Sequence, residues 1–157
     1  MNLKSLTTSA LALGFVIPAT GCFETITGPY DGPDVVEFAQ FAGSADPYTR
    51  AVSEDAGSVD LTVNLISANG AATSDLTIQV SVDGSSTAGT SDYSFANGPQ
   101  VTIPAGSTSG TLTINIADDA DVDGAETIVM ELTGTADGSV VGAENFDDFT
   151  VTIVDND

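Results

Sequence analysis

At 157 residues the chain can bury one core without metal or disulfide support, with a surplus at its front. Its 23 acidic residues face two basic ones, a formal charge of −21 that makes nucleic acid and anionic lipid surfaces poor partners. The lack of histidine excludes Ser-His and Cys-His catalysis, and a single cysteine excludes a disulfide within the chain.

Residues 1–21 read as a secretory signal, with Lys4 in a short polar start, an apolar run from Leu6 to Pro18, and small residues before Cys22. That run is too short to span a bilayer. Ala19-Thr20-Gly21-Cys22 resembles a bacterial lipobox, with Ala19 where leucine is more usual. The resemblance implies an exported protein whose Cys22 carries lipid and anchors it to a membrane, at the outer membrane or cell surface. The other reading is an ordinary cleavage site followed by an unpaired thiol. Residues 22–32 form the lipidated cysteine and a Gly- and Pro-containing tether, and residues 33–157 form the folded domain.

Within that domain apolar residues alternate with polar ones, the period of strands with one buried face. Val35, Phe38 and Phe41 mark a first segment, which the stretch from Tyr48 to Ser53 continues after a break at Asp46-Pro47. Then come Val59 to Leu65, Leu76 to Val82, Val101 to Ile103, Leu112 to Ile116, Ile128 to Leu132 and Phe149 to Ile153. Turn residues such as Asn69-Gly70, Asp83-Gly84, Asn97-Gly98-Pro99 and Asp137-Gly138 separate them. No segment has a helical period. About seven short strands with aliphatic inner faces predict an all-β, seven-strand antiparallel sandwich, with any chemistry in its end loops.

The densest chemistry lies in Asp118 to Glu126, DDADVDGAE, where five carboxylates crowd into nine residues. Such a run is either a solvated acidic loop or a contributor to a cation site. Asp119, Asp121, Asp123 and Gly124 match the start of an EF-hand loop, but the twelfth position is Met130 and both flanks alternate as strands do. An EF-hand is therefore rejected. Other carboxylates sit at strand ends: Glu54, Asp83, Asp155 and Asp157. Any one alone reads as a solvated turn residue. Together they offer only hard oxygen donors, which suit calcium better than zinc, copper or iron, and better than the stiffer magnesium octahedron. Beyond residue 21 the only base is Arg50, so a generically acidic, salt-adapted surface also accounts for the charge. Paired carboxylates could serve glycoside hydrolysis, but nothing in the pattern suggests a cleft, so the chain does not read as an enzyme.

The segments VSEDAGSVDLTVNL, VDGSSTAGTSDY, IPAGSTSGTLTINIADDADVDGAETIVMELTG and FTVTIVDND, in that order, resemble a Calx-beta domain across Gly32 to Asp157. The resemblance implies an immunoglobulin-like sandwich that holds calcium ions in the loops at one end. Carried across by motif, it implicates Glu54, Asp83, Asp118, Asp119, Asp123, Glu126, Asp155 and Asp157 as ligands, and makes Asp121 the least expected ligand of the acidic run. Ala120 and Asn156 stand where calcium-binding members often have Asp, Asp123 where Glu is usual, and the STAGTSDY segment is one residue short; these departures point to fewer or more weakly held ions. Asp92, beside Tyr93, reads as a turn carboxylate accepting backbone hydrogen bonds. The functional expectation is a membrane-anchored calcium-binding module with a structural or adhesion role. The alternative is a metal-free module that binds a protein or polysaccharide.

Overall fold

The computed structural model describes residues 32–42, 45–122 and 124–157. The expected signal, the Cys22 lipidation site, most of the tether and Asp123 lie outside the described residues. Among the described residues ten strands form, in two five-stranded sheets. They are β1 (Val35–Phe38), β2 (Thr49–Ser53), β3 (Ser58–Ile66), β4 (Leu76–Val82), β5 (Tyr93–Phe95), β6 (Gln100–Ile103), β7 (Ser109–Ile116), β8 (Glu126–Thr135), β9 (Val141–Gly142) and β10 (Asp148–Val154). One sheet runs β5-β7-β3-β1-β9 and the other β2-β10-β8-β4-β6.

The alternation in the sequence becomes burial. In β3, Val59, Leu61, Val63 and Leu65 point inward while Asp60 and Thr62 face out. Ile78, Val101, Ile103, Leu112, Ile114, Ile128, Met130, Leu132, Val151 and Ile153 supply the same inner layer from the other strands. Phe38 and Phe149 meet across it, with ring centroids 5.3 Å apart. Among the described residues no polar or charged side chain is fully buried, so the chemistry is confined to the rims and outer faces.

A sandwich was expected and a sandwich forms, but with ten strands rather than seven and two parallel edge pairings. The break at Asp46-Pro47 is a change of sheet: β1 pairs antiparallel with β3, whereas β2 pairs in parallel with β10 in the opposite sheet. β9, only two residues long, pairs in parallel with β1. Arg50 ties the crossing down. Its guanidinium lies 4.9 Å from the centre of the Phe41 ring, and its Nη1 donates to the Asp60 carbonyl oxygen on β3 at 3.0 Å. A single base in an acidic domain thus links edge strand β2 of one sheet to central strand β3 of the other.

Pairing fixes which loops share an end. Ser58 of β3 faces Asn115 of β7, and Ile153 of β10 faces Glu126 of β8. β2 runs alongside β10, Ser53 beside Val154. The turns after β2, β7 and β10 and the start of β8 therefore meet at one end of the sandwich. The hairpin between β8 and β9 lies at the other.

Candidate metal centre

Four segments bring carboxylates to that end. Glu54 opens a 3-10 turn, Glu54–Ala56, directly after β2. Asp118 and Asp119 follow β7, Glu126 begins β8, and Asp155 and Asp157 follow β10. Glu54 and Asp155 are half-buried, whereas Asp118, Asp119 and Asp157 are exposed. The Glu54 carboxyl is raised above its ordinary value, first by partial desolvation and then by the negative charges of Asp119, Asp155 and Asp118. The backbone N–H of Asp119 donates to it and pulls the other way. Carboxyls from two other loops, after β7 and after β10, thus act on one group.

Backbone amides serve these acids as they stand. Asp155 accepts from the Gly124 N–H at 3.1 Å through Oδ2 and from the Asp157 N–H at 2.8 Å through Oδ1. Asp119 Oδ1 accepts from the Asp121 N–H at 2.8 Å, so Asp121 contributes an amide while its own carboxylate points to solvent. Gly124 holds φ +80°, a left-handed conformation that glycine tolerates and that aims its N–H at Asp155. Among the described residues no three carboxylates stand close enough to enclose a metal ion in this arrangement. The donor set suits calcium by its chemistry, all hard oxygens with amide-rich neighbours.

Two residues fall differently from the sequence expectation. Asp83 follows β4, which stops pairing with β8 at Val82 opposite Met130. Its backbone N–H donates to the Val129 carbonyl, three residues short of Glu126, which at the rise of a strand is about 10 Å from the tip. The Asp83 carboxylate closes a local turn on Ser85, whose hydroxyl and amide lower its pKa. Asp92 reaches the end instead. It is half-buried and its carboxyl lies within hydrogen-bonding reach of that of Glu126, a pairing that needs a proton on one of the two, while Ser91, the largest influence, and the Gly89 N–H lower its pKa. Its carbonyl accepts the Ala117 N–H at 2.8 Å, placing it beside the start of the acidic run. The expected turn geometry of Asp92 is present, and with it a contact to Glu126 that the sequence did not suggest. The signal was the Asp92-Tyr93 pair just before a strand.

An immunoglobulin-like sandwich whose end loops gather carboxylates defines a class of β-sandwich binding domains. The Calx-beta domain family matches residues 42–157, and the chain belongs to that family. No curated protein matches the chain. Among solved structures it is similar to the apo form of the Calx CBD1 domain, at 19% identity and TM-score 0.59, over 80% of this chain and 100% of that one. It is also similar to the calcium binding domain CBD12 of CALX1.1, at 19% identity and TM-score 0.55, over 78% of this chain and 46% of that one. A two-domain protein of unknown function from Bacteroides fragilis shares the fold at 10% identity and TM-score 0.58, again over 46% of its length. The chain thus spans under half of these longer structures. At such identities the likeness is one of fold.

Proposed function

We propose that the protein is a calcium-binding β-sandwich module with a structural or adhesion role and no catalytic activity. The observation that carries this reading is the convergence of half-buried Glu54 after β2 with Asp118 and Asp119 after β7 and Asp155 after β10 at one end of the sandwich. Partial desolvation first, and then those neighbouring charges, raise the Glu54 carboxyl, and a cation placed among them would offset both costs. Membership of the Calx-beta family and the calcium binding domain among its structural neighbours support the same ion. When bound, calcium supplies a divalent charge and demands six to eight oxygen ligands. Glu54, Asp118, Asp119, Asp155 and Glu126 would hold it, with Asp92 beside Glu126, Asp157 at the rim and Asp123 in the same loop. Asp83 serves its own turn.

Calorimetric titration of chelated protein with calcium, paired with thermal melting, tests this. Saturable heat and a higher melting temperature in calcium are expected. A melting temperature raised by sodium and indifferent to calcium would show that the acidity is generic.

A second reading, a metal-free protein- or polysaccharide-binding module with a salt-adapted surface, draws on the backbone amides that already serve Asp155 and Asp119. Partner binding indifferent to chelator would favour it. The proposal extends to location: exported, and anchored through lipid on Cys22. Among the described residues no helix is long and apolar enough to cross a membrane. Recovery of a Cys22→Ser variant in the membrane fraction at the parental level would refute the anchor.

A further inference from the structure

The segment between β4 and β5 crosses from one sheet to the other, and on its way it repairs an edge of β8. β4 stops pairing at Met130, yet β8 continues outward through Val129 and Thr127 to Glu126, still paired on its other side with β10. Along that stretch the N–H groups of Val129 and Thr127 face the side β4 has vacated. The crossing chain cannot meet them as a strand, because Asp83 and Ser85 close a turn there and the Ser86 N–H is taken by the Asp83 carbonyl at 3.1 Å. Two hydroxyls accept in place of backbone carbonyls. Ser86 Oγ takes the Val129 N–H at 2.9 Å, and Thr87 Oγ1 takes the Thr127 N–H at 2.8 Å.

The carbonyls of the same two β8 residues are served by crossing-chain amides. Val129 O accepts from the Asp83 N–H at 2.9 Å; Thr127 O accepts from Thr87 and Ala88 at 2.9 and 3.0 Å. Immediately beyond this stitch the chain buries Ala88 and turns through Gly89, whose N–H donates to Asp92. Asp92 then meets Glu126, the neighbour of Thr127.

We propose that the Ser86 and Thr87 hydroxyls are positioning residues for the acidic end: they latch the crossing segment to β8, and the latch sets whether Asp92 and Glu126 are held together for a cation. This rests on the calcium reading above. Residues without a hydroxyl at these two positions leave a strand N–H bare next to the site, and the crossing loses the register that delivers Asp92. The latch is a property of side-chain oxygen, so serine at 87 preserves it and valine, of nearly the same shape as threonine, abolishes it.

The test compares the full protein with Thr87→Val, Thr87→Ser and Ser86→Ala by calcium calorimetry, by melting in chelator, and by hydrogen exchange at the Thr127 and Val129 amides. Thr87→Val is expected to weaken calcium binding about fivefold, the loss of one neutral hydrogen bond, and to speed exchange at Thr127. Thr87→Ser should bind within twofold of the parent, and Ser86→Ala should speed exchange at Val129. The readout that separates positioning from general stability is affinity lost out of proportion to the fall in chelated melting temperature. Parental affinity in Thr87→Val overturns the proposal, as does an equal loss in Thr87→Ser. If the unaltered protein takes up no calcium, the ion reading itself fails and the proposal falls with it. If the parent binds and Thr87→Val matches it, only the positioning role fails.

Discussion

The two ends of β8 carry carboxylates in opposite circumstances. At its far end Asp137 sits in the hairpin to β9, where Thr135 Oγ1 donates to it at 2.6 Å and the amide and hydroxyl of Ser139 at 3.0 and 2.7 Å. These donors, the Thr135 hydroxyl foremost, hold its pKa at about 2. At the near end Glu54 is partly desolvated and has one amide donor against three acidic neighbours, and its pKa moves up. Glu54 is half-buried and Asp137 exposed, so desolvation and the lack of donors act together on the one and neither acts strongly on the other. One carboxylate has been given its partners by the chain; the other is left short of positive charge. A turn acid that finishes its own loop and an acid gathered with others therefore differ in sign before any ligand is considered.

The largest expected effect breaks the far end. Gly134 holds φ +90° beside the irregular pairing of β8 with β4, and an added Cβ would clash with the Val140 carbonyl oxygen. Gly134→Ala should cost about 3 kcal/mol through strain and backbone displacement, read as a lower melting temperature with or without calcium. Next in size is calcium itself, acting on the near end alone. At a hundredfold excess over its dissociation constant it should stabilise the fold by about 2.7 kcal/mol, and chelator should reverse this. An Asp137→Asn variant should show the same calcium increment as the parent, and loss of that increment would join the two ends that the fold separates.

Smaller effects read the two carboxyls directly. Because Glu54 is raised in the fold, its contribution is favourable below its ordinary value of 4.5 and is lost as pH rises through the higher folded value. In chelator, Glu54→Gln should raise the melting temperature at neutral pH and flatten its decline from acid toward neutral; in calcium it should weaken binding. A fall in chelated stability at neutral pH would show that the repulsion is absent. Asp137 has the opposite sign. Its pKa is depressed, so its stabilisation is present above its ordinary 3.8 and fades as pH falls toward about 2. The difference in stability between the parent and Asp137→Asn should shrink across that window, and a constant difference would remove the charge from the explanation.

The aliphatic faces were legible because burial on one side of a strand leaves a period of two, and Val59 to Leu65 or Ile128 to Leu132 carry it plainly. β5 and β9 were not, since three and two residues are too few for a period and their existence depends on backbone pairing with β7 and β1. The change of sheet at Asp46-Pro47 left a break in the pattern but no record of its destination. At the acidic end, strand ends alone place Asp118, Asp119 and Asp155, but Glu54 joins Asp155 only because β2 pairs in parallel with β10, which a simple alternation of strand directions does not give. Asp83 against Asp92 could not be decided that way. Both lie between β4 and β5, and which one meets Glu126 depends on β4 releasing β8 at Met130, a register fixed by tertiary pairing rather than by local residue type.

The parallel rungs between β2 and β10 also bear on tension. The chain enters β1 at the far end, Val35 opposite Ile66, and leaves β10 at the acidic end, Val154 beside Ser53. Pulling those two points apart directs the load along the strands, so the five partner pairs from Thr150 with Thr49 to Val154 with Ser53 are sheared together instead of peeled in sequence. Resistance to force is governed by the rate of unfolding, and a ladder that must slip all at once keeps that rate low. A tug between those two points would load all five pairs at once.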